Sequence, residues 1–362
     1  LDEITAKFVE FFNTRAYNNS MKIIVTGGLG LIGHNVVRKL VDLGHEAFII
    51  DNATNYGIIP IPELNHLVAE RRKKIPGIFT YSMDIADTVS VERVIENIKP
   101  EAIIHLASFP RQKVVNANPA VASRVMSEGL LNILECCLRY SVKRIIYTSS
   151  SSMVYGDFED YVTEDSTCNP QGQYAIMKLA GEMLIRDYTR KHGLEHTIIR
   201  PSAVYGPLDV EDRVISKFLL TAMRGGTLKV NGKNETLDFT YVDDAVDGIV
   251  KATLSERAAN ETYNITKSHS VTLHRAAQFA VQLAGKGNIE VRDKDADFPS
   301  RGALDITKAR EHFGFDPKVD VEEGFQIYYD WLRNDPYWQK TVLDKEQNVQ
   351  YNSKNKLEKE KA

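Results

Sequence analysis

Tyr174 and Lys178, in the run YAIMK, place a phenol and an amine one helical turn apart. A phenol at its ordinary pKa of about 10 is a poor base near neutrality. A cationic lysine on the same helix face favours the phenolate and makes the pair an acid/base device. Far upstream, residues 26–33 read TGGLGLIG. A glycine turn of this kind, between a strand and a helix, exposes unpaired N–H groups where the helix dipole favours a phosphate. Each motif alone has a plain explanation: two exposed groups on a helix, or a tight turn. In this order they describe a dinucleotide beside a proton-transfer group, which is the equipment for oxidising an alcohol.

Elements must hold these groups in place, and the chain supplies a regular alternation. KIIVT (22–26) reads as a buried parallel strand, followed by the glycine turn and a helix to about Leu43. EAFII ends at Asp51, and a third strand near IFTYSMD ends at Asp84. A helix around Val89–Ile98 leads to AIIHLA, and a long helix over Ala120–Tyr140 leads to RIIYTSSS. Tyr174 and Lys178 open the next helix, which runs to about His192, and HTIIR then ends at Pro201. This alternation predicts an α/β fold, a Rossmann-type doubly wound parallel sheet. Beyond Pro201 the elements shorten around Gly206-Pro207, Gly225-Gly226 and Asn231-Gly232. DFTYVDDAVDGIVKAT predicts a strand and a helix capped by Asp243 or Asp244.

The expected division is a dinucleotide-binding domain over 21–200 and a smaller, discontinuous C-terminal substrate lobe over 201–338, with 235–265 returning to the large sheet. Residues 1–20 form an N-terminal extension in which Phe8, Val9, Phe11 and Phe12 share an apolar face, and 339–362 form a polar tail. The 362 residues carry a formal charge of -4, which offers no basic footprint for nucleic acid. No apolar run reaches the roughly 18 residues that a membrane span needs. Three cysteines, Cys136, Cys137 and Cys168, and no visible export signal give the expectation of a reducing, cytoplasmic setting. No cluster of His and Cys suggests a metal.

Within the cofactor site, Gly27 provides the turn, Gly30 the close backbone approach and Gly33 the helix–strand contact. Asp51 can accept bonds from the adenosine ribose hydroxyls and would repel a 2′-phosphate; no Arg or Lys follows in DNATNYG, which favours NAD over NADP. Asp84 can hold the adenine amino group, and Leu106, Ala107 and Ser108 leave room at the end of the fourth strand. Ser151 can hydrogen-bond the reacting hydroxyl, and Lys178 can also bind the nicotinamide ribose.

With these residues in view, the chain resembles the extended short-chain dehydrogenase/reductases, specifically the NAD-dependent nucleotide-sugar epimerase/dehydratase family. The matching runs are TGGLGLIG, Asp51-Asn52, Asp84-Ile85, HLAS, SSSSMVYG, YAIMK, RPSAVYGP, DFTYVDD and LDITKAREHFGFDP, in the family's order from about Met21 to Trp331. The resemblance implies cofactor contacts also at Leu31, Ile32, Asn52, Ile85, Pro201 and Ser202, with Ser151, Tyr174 and Lys178 as the catalytic set. Family dehydratases carry Thr-Asp-Glu before the Val of VYG, and decarboxylases a Glu; here Ser151, Ser152 and Met153 stand there, as in the 4-epimerases. The implied reaction is transient oxidation at sugar C4, rotation of the 4-keto sugar and hydride return to its other face. Net oxidation or reduction of a sugar nucleotide is the alternative, and a silent NAD-binding scaffold a third reading.

The resemblance also implies a nucleotide-diphosphate sugar as substrate, touching Phe109, Ser151, Ser152 and Tyr174. FPRQK (109–113) is placed at the sugar pocket. Family members have Asn, Asn and a phosphate-binding Arg where this chain has Met126, Ala203 and Leu237. Arg213 and Arg301 are the candidates to supply that missing charge. A homodimer is implied, through a four-helix bundle of the Ala120–Tyr140 and Tyr174–His192 helices.

Overall fold

A continuous apolar strand needs cover on both faces, and β1 (Lys22–Thr26) has it: Ile23, Ile24 and Val25 are fully buried in the computed structural model. The structure describes residues 20–158, 161–295 and 298–342. The apolar face assigned to Phe8–Phe12 and the tail from residue 343 lie outside them. β2 (Glu46–Ile50), β3 (Thr80–Tyr81), β4 (Ala102–His105), β5 (Arg144–Thr148) and β6 (Glu195–Pro201) follow in turn.

Then come β7 (Val204–Tyr205), β8 (Thr227–Asn231), β9 (Thr236–Asp238), β10 (Thr240–Tyr241), β11 (Glu261–Ile265), β12 (Ser270–Thr272) and β13 (Asn288–Arg292). Seven strands form one sheet in the order β11-β6-β5-β4-β1-β2-β3, with every pairing parallel. The doubly wound α/β fold expected from the alternation is therefore the fold observed. Strand order reverses between β1 and β4, and a ligand crevice opens outside the carboxyl ends of strands at such a point.

Three local expectations are corrected. The third strand is only two residues long, because it pairs with β2 alone and the Asp84 carboxylate, accepting from Ala86 N at 2.9 Å, turns the chain away. The helix expected over 120–140 is built of Pro119–Ser123, a π turn at Arg124–Glu128 and Gly129–Arg139. The Val242–Leu254 helix has Tyr241 at its N-cap, so neither aspartate caps it. Asp244 instead accepts from Lys318 N and Val319 N at 2.8 and 2.9 Å, tying the helix to a later loop.

The second lobe is small: β8 pairs with β13, and β9 with β12, beside the helices Val214–Met223 and Leu273–Ala284. It is not a separate globule, since one apolar core runs from Ile23, Val25 and Ile199 through Phe218, Leu228 and Phe279 to Trp338. Residues 336–342 are helical, Trp338 is fully buried and Val342 nearly so, which makes 339–342, assigned to the polar tail by the sequence, part of the packed fold. No helix among the described residues is long and apolar enough to cross a membrane.

Candidate functional site

A cleft of about 900 Å³ opens at the switch point, between the carboxyl ends of the large sheet and the second lobe. Its first half is made of backbone. Gly27 has φ +71°, and its N–H donates to Ile50 O at 2.8 Å, pinning the loop to β2. A Cβ at Gly27 would lie 2.8 Å from Ala107 N, and one at Gly33 would collide with the carbonyl oxygen of Gly27. Gly30 is different. A Cβ there meets only Gly27 O at 3.1 Å, so the protein itself tolerates it poorly but does not forbid it. Gly30 also stands at the N-cap of the Leu31–Asp42 helix with no side chain bonding the first N–H groups. A dinucleotide pyrophosphate fits that arrangement, because those donors and the dipole face the cleft.

Leu31, Ile32 and Gly33 line the same wall, and Asp51, Asn52, Asp84 and Ile85 line the next. Asp51 Oδ2 accepts from Leu29 N at 2.9 Å and Oδ1 from Ala53 N at 2.7 Å. Each oxygen keeps a lone pair for a ribose hydroxyl. Burial raises the Asp51 pKa, and the two N–H bonds and the charge of Arg71 oppose that shift. Leu106, Ala107, Ser108 and Phe109 form the floor, and Tyr56 stacks on Phe109 with centroids 3.7 Å apart. The hydroxyls of Ser108 and Thr148 are buried on this lining without a partner among the described residues, as expected of groups that meet a bound molecule. Pro201 lines the cleft, whereas Ser202 does not; its buried hydroxyl is also unpartnered.

Side chains make the second half. The Gln173–His192 helix begins just after Gly172, whose φ of +84° and missing Cβ admit the Gln112 side chain. Gln112 Oε1 accepts from Tyr174 N at 3.1 Å and so caps the helix that carries the phenol. Lys178 Nζ donates to Thr148 O at 2.7 Å and lies 5.9 Å from the Tyr174 ring centroid. Burial raises the Tyr174 pKa; the charge of Arg213 and a hydrogen bond with Ser150 act against it. Burial lowers Lys178 to about 7, opposed by the charge of Glu182.

The serines are arranged differently from the sequence expectation. Ser151 opens a short helix, Ser151–Val154, rather than ending a strand. Its hydroxyl donates to Pro201 O at 2.8 Å, is fully buried and is absent from the cleft lining. Ser149, Ser150 and Met153 line the cleft instead. Ser152 lies in the same short helix, and its side chain is outside the described set.

Arg213 and Arg301 both face the cleft from the second-lobe side. Arg213 has Asp209 3.9 Å away, and half-buried Arg301 has an unpartnered, buried Nε, with desolvation lowering its pKa to about 10. Three contacts the sequence did not suggest join the lobes at the loop around 208–213. Arg71 donates to Leu29 O at 2.9 Å and to Leu208 O at 2.6 Å. Arg111 pairs with Asp212 at 2.5 Å, and Glu63 accepts from Glu211 N at 2.7 Å. Arg71 sits in an otherwise ordinary amphipathic helix, Ile61–Lys74, and only the fold turns it inward.

Residues 23–266 match the sequence profile described as the NAD dependent epimerase/dehydratase family. A putative UDP-glucose 4-epimerase of Methanocaldococcus jannaschii is 30% identical over 321 residues, covering 86% of this chain and 98% of that one. A UDP-glucuronic acid decarboxylase of Arabidopsis thaliana is 30% identical over 326 residues, covering 87% and 90%. The crystal structure of a UDP-glucose 4-epimerase from Thermotoga maritima with UDP-glucose superposes with a TM-score of 0.76 at 28% identity, covering 86% and 99%.

Proposed function

Since the chain belongs to the NAD dependent epimerase/dehydratase family, a family of NAD-dependent enzymes, we propose that it is a nucleotide-sugar 4-epimerase. One observation carries this reading. Tyr174 and Lys178 line the cleft with the glycine loop, while the three residues before Val154 are Ser151, Ser152 and Met153. Elimination of water needs an acid at this place and finds none. Met153, on the cleft wall, stands where a decarboxylase carries glutamate.

NAD bound along the Gly30 helix supplies a reversible hydride acceptor for sugar C4. Tyr174 removes the proton of the C4 hydroxyl and later returns it. Lys178 holds positive charge beside the phenol and is placed to hydrogen-bond the ribose. Ser150, rather than Ser151, supplies the hydroxyl beside Tyr174. The flat 4-keto sugar turns about its link to the diphosphate, and Arg213 and Arg301 anchor that diphosphate. The Asp51 carboxylate selects NAD over NADP.

The protein acts as a homodimer in the cytoplasm. The exposed Leu131, Ile176 and Met183, on the helices Gly129–Arg139 and Gln173–His192, support a helical interface between two copies. Incubation with UDP-, GDP-, dTDP- and CDP-sugars, with products resolved by NMR, tests the reaction. A 4-epimer formed without net NADH is the expected product. A 6-deoxy-4-keto product, a pentose, or steady NADH accumulation replaces the reading with dehydration, decarboxylation or net oxidation.

A further inference from the structure

The Tyr174 helix carries a further ionisable side chain on the same face. Positions 174, 178 and 182 follow at one-turn spacing, and Glu182 is fully buried behind Lys178. A buried carboxylate is costly unless paired. Arg200, from β6, pairs with it in fork fashion: Nε to Oε1 at 2.9 Å and Nη2 to Oε2 at 2.7 Å. Arg186 adds a third bond to Oε2 at 3.0 Å. Arg200 is itself fixed by Tyr155, whose hydroxyl accepts from Nη1 at 2.8 Å and donates to Asn264 Oδ1 at 2.9 Å. Burial opposes ionisation of Glu182 most, yet the bonds and charge of Arg200 hold its pKa below the ordinary range. The carboxylate is therefore a permanent anion in a rigid mount.

The surroundings of Lys178 give that anion its meaning. Lys178 is buried, bonded to Thr148 O, and 5.3 Å from the Tyr147 ring centroid on β5. His105, on β4, is held neutral near pKa 3 by burial. Tyr147 is held neutral in the same way, its pKa raised by burial. Tyr174 is the remaining titratable neighbour on the helix. Glu182 is the charge that acts on the ammonium, and Arg200 and Arg186 act on Glu182.

We propose that Glu182 is a positioning residue: its carboxylate, locked by Arg200, keeps Lys178 cationic and so sets the pH range over which Tyr174 exchanges protons. The catalytic consequence rests on the epimerase reading, but the charge of Lys178 does not. The sign follows directly. An anion near an amine favours the ammonium, so removing it lowers the pH at which Lys178 loses its proton.

The test labels Lys178 with acetic anhydride across a pH series, in full-length protein, and reads the modified peptide by mass spectrometry. Only the free amine reacts, so the labelling midpoint reports its titration without any substrate. Glu182→Gln is expected to move the midpoint down by roughly one pH unit. Asp187→Asn, an exposed change on the same helix, is expected to leave it in place. If Glu182→Gln does not fold because Arg200 is left unpaired, the double variant Glu182→Gln/Arg200→Gln removes the pair without stranding a charge and is expected to show a downward shift smaller than that of the single change, because a more distant cation leaves with the anion. On a sugar that turns over, the alkaline limb of kcat moves down with the labelling midpoint. An unchanged midpoint in a folded variant overturns the proposal. A shifted midpoint in a protein that converts no sugar sustains it and overturns the epimerase reading instead.

Discussion

The two halves of the cleft are built from different materials. On the β1–β2 side the shape is backbone: Gly27 is held to Ile50 O, and Gly33 packs so tightly on Gly27 that no side chain fits between them. On the second-lobe side the shape is side chain: Arg213 near Asp209, Arg111 on Asp212, and Arg301 with a buried, unpartnered Nε. Backbone cradles present the same N–H groups whatever residues surround them, so they recognise what all dinucleotides share. Side-chain walls can be exchanged singly, and this is where a family changes its sugar while keeping its cofactor. Ala203 and Leu237, which depart from the family pattern, both line the cleft in the exchangeable part, whereas Met126 lies in the core beside the large sheet.

Removing chemistry from either half should break different things. Tyr174→Phe takes away only the acid/base oxygen, so turnover should fall by about 10² to 10⁴-fold. NAD affinity, followed by fluorescence quenching, should stay within a factor of two or so, since the backbone cradle is untouched. Loss of NAD binding together with turnover would mean the halves are not separable. The converse break is Gly33→Ala. Its Cβ collides with Gly27 O, and overpacking of this kind costs about 1–3 kcal/mol. The expected outcome is weaker NAD binding and a lower melting temperature, with undiminished kcat at saturating NAD.

The same contrast decides how much could be read from the chain. TGGLGLIG, the strand-end aspartates and YAIMK were legible because each serves a local geometry that its own neighbours complete. The parallel sheet was legible because buried strands such as KIIVT and RIIYT carry an unbroken apolar run at their three central positions. Arg71 was not, since an arginine in a charged helix gives no sign that the fold will bury it between two loops. Glu182 and Arg200 were not: they lie 18 positions apart on a helix and the strand that follows it, and nothing local shows that the two side chains turn toward each other. Boundaries failed where tertiary bonds replaced local ones: Asp244 bonds a distant loop instead of capping its own helix.

The serines lie on the border between the two materials and sharpen the comparison. Four in a row, Ser149 to Ser152, offer four hydroxyls to a strand end, and sequence alone cannot tell which way each points. In the fold Ser151 spends its hydroxyl on Pro201 O, whereas Ser150 faces the cleft and acts on the phenol. Ser150→Ala should therefore lower kcat by about fivefold, the worth of one hydrogen bond near 1 kcal/mol. Ser151→Ala should act mainly on the melting temperature, with kcat changed less than in Ser150→Ala. The reverse ranking would show that the short helix turns over when the sugar binds.

The smallest effect is expected where the lobes touch. Arg111 follows the floor of the cofactor half, yet its guanidinium reaches across to Asp212 and to the Asp212 carbonyl at 2.7 Å. Asp212 is well exposed, with 43% of its side chain accessible. A solvated pair of this kind contributes under about 1 kcal/mol. Its value lies in placing the loop that carries Arg213, so Arg111→Gln should raise KM for the sugar nucleotide a few-fold while kcat and NAD affinity hold. Because the pair is screened by salt, the wild-type protein should lose part of the same advantage as ionic strength rises, and the variant should lose less. An equal salt response in both would remove the loop contact from the explanation and leave Arg213 held by Asp209 alone. In that case the cofactor half and the sugar half would share a wall without sharing a latch.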